Sequence, residues 1–388
     1  MSRATVRTPE VQTKLPAVGT TIFTVMSALA AEKNAVNLGQ GFPDFNCDPQ
    51  LLQAVTDAMA AGHNQYPPMP GILALREAIA AKIDTLYGHR YDPQTEITVT
   101  AGATQAIITA ILAVVRPGDE VIVLEPCYDS YVPNIDLAGG TVVRVPLTPG
   151  SFRPDFAKIA AALTPRTRAI IVNTPHNPSA TVWTEAEMRQ LEDLLAPTEV
   201  LVISDEVYEH MVYAGARHES AARFPGLAAR SFIVSSFGKT YHVTGWKVGY
   251  VAAPAALSAE FRKVHQFNVF TVNTPMQHAL ARYMADPTPY LELPAFYQRK
   301  RDLFAEGLAK TRFKLLPSAG TYFQCVDISE VSALGESDFC QWLTSEIGVA
   351  AIPLSAFYGD GFDQRVVRFC FAKKDETLQA AIGRLARL

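Results

Sequence analysis

Between about residue 50 and residue 250 the chain alternates two textures. Segments such as LLQAVTDAMAAG, ALREAIAAKIDTLYG and TEAEMRQLEDLLA space their apolar residues three or four positions apart, as a helix with one buried face does. Between them stand short runs that are apolar almost throughout, EITVT, EVIVLE, TVVRVP, RAIIVN, LVISD and SFIVSS, each stopped by a polar or Gly/Pro turn. Runs of that length predict buried strands, and their alternation with helices predicts an α/β chain built on a mostly parallel sheet. From roughly Pro275 the texture shifts to longer helical segments, then the short strands TYFQCVD and VVRFCFA and a last helix, which predicts a second, smaller α+β domain. The expected division is an N-terminal arm with a small-domain segment over 1–45, a large domain over 46–280 and a small C-terminal domain over 281–388.

In open parallel sheets, ligands sit outside the carboxyl ends of the strands. Here those ends carry AGATQA, EPCYDSY, NTPHNP, SDEVYE and SSFGKT, so the polar chemistry gathers where a site is expected.

Composition narrows the classes. With 48% hydrophobic and 19% charged residues in 388, the chain is globular and large enough for two cores. A net charge of −4 with scattered basic residues excludes a nucleic-acid or anionic-membrane footprint. The start MSRATVRTPEVQTKLP lacks the apolar core of a signal peptide and the longest apolar stretch is too short to span a bilayer, so the expected location is the cytoplasm. Five dispersed cysteines without a C-x-x-C pair, and eight histidines without ligand spacing, point to neither disulfides nor a metal.

Each strand end offers a candidate beside a plainer reading. SSFGKT delivers Lys239 next to Ser236 in a small polar loop. A lone Lys is ordinarily solvated surface, but burial near another cation such as Lys247 would ease its deprotonation, as imine formation requires. The GKT tail also suits a phosphate-binding NTPase loop, but that pattern needs a Gly where Ile233 stands. Asp205 closes an apolar strand, either as half of a salt bridge or as the anion that keeps a pyridine nitrogen protonated, with Tyr208 in reach of a ring hydroxyl. Asn177 projects amide donors from a proline-bounded turn. Gly102, Ala103 and Thr104 open a helix whose free N–H groups suit a phosphate, with Ser236 and Lys247 as side-chain donors. Tyr128 suits stacking or core packing. Arg368, inside the apolar strand VVRFCF, needs a partner: a structural acid or a substrate carboxylate.

Taken together in this order, the motifs resemble the class I/II aminotransferases of pyridoxal-phosphate fold type I, from GQGFPDF at Gly39 to RFCFAKK at Arg368. The resemblance implies a large domain binding pyridoxal 5'-phosphate, Lys239 as imine lysine and general base, Asp205 at the pyridine nitrogen, and Asn177 with Tyr208 at the ring oxygen. It implies Tyr128 stacked on the ring, the phosphate at Gly102, Ala103, Thr104, Ser236 and Lys247, and the substrate carboxylate at Arg368, Asn177 and the backbone of Gly41. Tyr66 in NQYPPMPG matches a tyrosine that reaches the neighbouring subunit's phosphate, implying a homodimer with shared active sites. GQGFPDF, GKTYHVTGWKVGY and RFCFAKK look most like methionine and kynurenine/glutamine aminotransferases, with Phe23 as a substrate-pocket aromatic.

That similarity implies ping-pong transfer of an amino group from an L-amino acid, methionine favoured and aromatic amino acids or glutamine next, to a 2-oxo acid. Cysteine-conjugate β-elimination on the same fold, and a catalytically idle ligand-sensing regulator, are the alternatives. Two departures stand out: Lys247 replaces the usual Arg, and Ser179 and Ala180 stand where a Gly is usual.

Overall fold

The computed structural model describes residues 9–213 and 215–388; the first eight residues of the polar arm lie outside that range. Its strands, in chain order, are β1 (Val36–Asn37), β2 (Ile97–Thr100), β3 (Glu120–Glu125), β4 (Thr141–Pro146), β5 (Thr167–Asn173), β6 (Leu201–Asp205), β7 (Ser231–Ser236), β8 (Gly249–Ala252), β9 (Lys314–Leu315), β10 (Phe323–Asp327), β11 (Val349–Ala350), β12 (Ile352–Pro353) and β13 (Val366–Cys370). Seven form the central sheet in the order β2-β8-β7-β6-β5-β3-β4.

Strand β8 runs antiparallel to both neighbours and the other pairings are parallel. The carboxyl ends of β2, β3, β5, β6 and β7 therefore fall on one edge. The apolar runs have the expected cause: successive side chains point to opposite faces, and both faces are covered. Val121, Val123, Ile171, Ile203, Phe232 and Val234 pack into one buried cluster with the helix Gly102–Val114. Their neighbours Ile122, Leu124, Ile170, Val172, Val202 and Ile233 pack into the other, which continues into the rest of the chain.

Helix boundaries follow local chemistry. The helix Glu185–Leu195 opens with a capping box, in which Thr184 Oγ1 accepts from the Glu187 N–H and Glu187 accepts from the Thr184 N–H; this satisfies two donors that the first turn leaves free. The helix Thr274–Tyr283 packs on Pro49–Ala60, and Leu293–Leu308 packs on Asp375–Leu385.

A second sheet, antiparallel, has the order β12-β13-β10-β9. Strand β1 pairs in parallel with β11, so the chain's first strand joins its C-terminal part. Backbone bonds from Cys370 to Leu38 and from Val36 to Gly348 seal that seam. Among the described residues no helix is long and apolar enough to cross a membrane.

Candidate active site

The strand ends open on a cavity of about 250 Å³. Strand β7 ends at Ser236, whose hydroxyl accepts the Gly238 N–H at 3.2 Å and so starts a single helical turn, Phe237–Thr240, where a loop was expected. Lys239 sits in that turn. Its Nζ donates to the Tyr322 hydroxyl at 2.7 Å and to the Gly41 carbonyl at 3.3 Å, and no acid pairs with it among the described residues. Burial, assisted by Arg368 and Lys247, pushes its ammonium down to about 8. An amine of that kind is readily neutral near physiological pH.

Strand β6 delivers Asp205. One carboxylate oxygen accepts from the Tyr131 hydroxyl at 2.6 Å and the other from the Val207 N–H at 3.3 Å. Burial pushes this carboxyl up to about 6, against the pull of those donors and of Lys239. From the following turn Tyr208 sets its ring edge-on to Tyr322, with centroids 5.1 Å apart.

Strand β5 ends at Asn173, whose side chain brackets two segments. Its Nδ2 donates to the Asp205 carbonyl at 2.9 Å and its Oδ1 accepts the Asn177 N–H at 2.8 Å. Asn177 in turn accepts from Arg368 through Oδ1, so its Nδ2 donors are left for the cavity.

Strand β2 runs into Gly102, whose left-handed φ of +78° turns the chain into the helix Gly102–Val114. No side chain caps this helix, so the N–H groups of Ala103 and Thr104 at the cavity wall remain donors. Lys247 also has a left-handed backbone, and its Nζ lies 3.4 Å from where a Gly102 Cβ would be. Tyr128, after β3, lines the same wall, bonds Thr104 and meets Tyr131 edge-on.

Arg368 comes from β13 in the other sheet. It is fully buried, yet no carboxylate pairs with it among the described residues: Nη1 reaches Asn177, Nη2 reaches the Gly39 carbonyl at 3.4 Å, and Nε has no partner. The ring of Phe323 lies 3.9 Å from the guanidinium carbon and that of Phe23 5.5 Å from it. The structural ion pair weighed from sequence is thus not what holds it.

Every site residue expected from the sequence lines this cavity except Tyr66. That side chain is 80% exposed, edge-on to Phe270 at the surface. The charged lining is three cations, Lys239, Lys247 and Arg368, and one carboxylate, Asp205. Such a cavity attracts a ligand set carrying several negative charges. Sequence reading missed Tyr131, Asn173, Gln40, Phe42, Tyr322 and Phe323; all six lie inside quoted segments, but their roles depend on partners in distant parts of the chain.

A family model described as aminotransferase class I and II matches residues 33–385. The chain belongs to that family. The aminotransferase is 55% identical over 378 residues to the methionine aminotransferase of Escherichia coli, covering 97% of this chain and 98% of that one. It superposes with a TM-score of 0.97 on a crystal structure of an E. coli protein with methionine aminotransferase function, at 55% identity, covering 98% of this chain and all of that one. It is also 35% identical over 410 residues to the kynurenine–oxoglutarate transaminase of Dictyostelium discoideum, covering 95% and 94% of the two chains. The aminotransferase is therefore an enzyme that transfers an amino group between an amino acid and a 2-oxo acid on a fold type I α/β scaffold, not an idle regulator.

Proposed function

We propose that this aminotransferase holds pyridoxal 5'-phosphate in the cavity, bound through Lys239, and favours methionine as amino donor, with aromatic amino acids and glutamine as further donors. The observation that carries the cofactor assignment is Lys239 itself: a shielded amine with a lowered pKa and no acid against it, between a buried carboxylate and a buried, carboxylate-free guanidinium. The identity of 55% with a methionine aminotransferase supports the donor.

The lining fits the cofactor group by group. The uncapped N–H groups of Ala103 and Thr104, with Gly102, Ser236 and Lys247, suit the phosphate. Asp205 suits the pyridine nitrogen, Asn177 Nδ2 and the Tyr208 hydroxyl suit the ring oxygen, and Tyr128 suits the ring face. When bound, the cofactor supplies an electron sink that stabilises negative charge at the amino acid's α-carbon.

The chain's own residues do the rest. Arg368 takes the substrate carboxylate on its free donor capacity, assisted by Asn177 and the Gly41 backbone, and the stacked rings of Phe23 and Phe323 keep water from the guanidinium. This fixes the amino acid with its α-carbon toward Lys239. The Lys239 amine would hold the α-proton of the bound amino acid and give it back, acting as base and then as acid. Tyr322, donating to Gly41 and accepting from Lys239, keeps the amine in place. The 2-oxo acid acceptor would use the same carboxylate site, so one pocket serves both partners.

We further propose a homodimer with shared active sites: Tyr66, exposed with Phe270 beside it, is available to a neighbouring copy's phosphate site. Five unpaired, buried cysteines suit a reducing cytoplasm.

The deciding experiment is an absorption spectrum of the purified protein, with cofactor added, before and after methionine without an acceptor. A visible band that converts on adding methionine supports both cofactor and donor. A band that yields only to another amino acid moves the substrate, and no band at all overturns the cofactor assignment.

A further inference from the structure

Asp205 is a buried carboxylate without a cation in contact. Among the described residues its carboxylate has two hydrogen bonds, the Tyr131 hydroxyl at 2.6 Å and the Val207 N–H at 3.3 Å. The first is short, charge-assisted and the only one from a side chain. Tyr131 is itself buried, and among the described residues its hydroxyl has no other hydrogen bond. Its ring meets the ring of Tyr128 edge-on, with centroids 5.7 Å apart and planes at 82°. One residue therefore touches both the carboxylate and the aromatic wall assigned to the cofactor.

We propose that Tyr131 is a positioning residue for the transamination: its hydroxyl holds the Asp205 carboxylate in one orientation and keeps it anionic toward the cofactor's ring nitrogen. This rests on the pyridoxal-phosphate reading above. A carboxylate relieved of that donor is both freer to turn and more basic, so the proton it shares with a pyridine nitrogen moves away from the nitrogen. A ring nitrogen without its proton draws less charge from the α-carbon.

Burial raises Asp205, and the Tyr131 hydroxyl is the largest influence opposing that rise, ahead of Val207 and Lys239; Glu206 acts the other way. Burial, with the Asp205 carboxylate beside it, also holds the Tyr131 phenol well above its ordinary range, so it stays a donor to that carboxylate.

Tyr131→Phe keeps the ring and its contact with Tyr128 and removes only the hydroxyl. The expected result is a kcat lowered by about 10- to 100-fold, the equivalent of one to two tenfold steps in the barrier, with KM little changed. An α-deuterated amino acid should show a larger isotope effect than with the wild type. Independently of turnover, the pH at which the bound cofactor's visible band changes should rise by roughly one unit, because a less charged ring leaves the attached nitrogen more basic.

Incorporating 3-fluorotyrosine at position 131 covers the case in which the Phe variant does not fold, since it preserves the donor and strengthens it. The visible-band transition should then move the other way, to lower pH. A Tyr131→Phe enzyme that binds cofactor with an unshifted band, an unchanged isotope effect and wild-type kcat, or a fluorotyrosine enzyme without a downward shift, overturns the proposal. The wild type measured alongside separates the two failures: without a visible band of its own, it is the cofactor reading that falls.

Discussion

Arg368 and Asn177, 191 residues apart in the chain, share a hydrogen bond of 2.5 Å that joins a strand of the small sheet to a turn of the large one. The amide oxygen occupies one guanidinium nitrogen and turns its own N–H donors elsewhere. No carboxylate neutralises the cation among the described residues, so the charge is free to meet a ligand.

Arg368→Met tests that reading. Removing a buried cation that has no acidic partner relieves a desolvation cost, so the thermal midpoint of the cofactor-loaded enzyme should shift by only a few degrees. Losing a charge-assisted pair with substrate should raise KM by about 100-fold, on the order of 3 kcal/mol. Steady-state kinetics beside calorimetry separates the effects; a collapse of stability with unaltered KM would make Arg368 structural.

Lys239 gives a pH dependence with a definite sign. Its ammonium is pushed down to about 8, and only the neutral amine attacks an aldehyde. The rate at which cofactor-free protein takes up pyridoxal phosphate should rise as pH increases toward about 8 and level off above it. Stopped-flow absorbance across pH 6 to 10 checks this, and Lys239→Ala should show neither the band nor turnover.

Gly249, inside the segment GKTYHVTGWKVGY but not singled out there, stands under the wall proposed for the phosphate. A Cβ there would lie 2.6 Å from the Ser235 carbonyl oxygen, 3.2 Å from the Gly102 carbonyl carbon and 3.3 Å from the Ala103 nitrogen, all backbone atoms. Gly249→Ala should prise β8 from the helix start and weaken cofactor retention by about tenfold or more, measured by equilibrium dialysis.

At Ala180 the departure noted in NTPHNPSA acquires a cost. The residue is buried with φ +63°, the left-handed region that a glycine enters freely. Ala there is strained by about 1–2 kcal/mol, and glycine would forfeit about 0.4–1 kcal/mol through its freer unfolded chain. Ala180→Gly should therefore stabilise the fold by about 0.5 kcal/mol, read as a small rise in midpoint with activity retained.

The sequence was most legible where local pattern and global position coincide. Continuous apolar runs marked the two-faced strands, and a polar residue at the end of such a run, as with Asp205 or Ser236, is visible in one dimension. The helical turn around Lys239 was not, because it depends on the Ser236 hydroxyl accepting from Gly238. Nor were Tyr131, Asn173 and Tyr322, each of which matters through a hydrogen bond to a residue tens or hundreds of positions away. The polarity of a buried tyrosine in an apolar context does not say whose oxygen it serves.

The two groups assigned to the substrate come from different sheets: Lys239 from the helical turn that ends a strand of the large one, Arg368 from a strand of the small one. Any molecule that touches both spans the joint between two sheets that share one continuous core. The chain thereby works as a caliper: a ligand of the wrong reach leaves one jaw unfilled, and the segment Gly39 to Gly41, whose carbonyls accept from Arg368 and Lys239, holds both jaws at their setting.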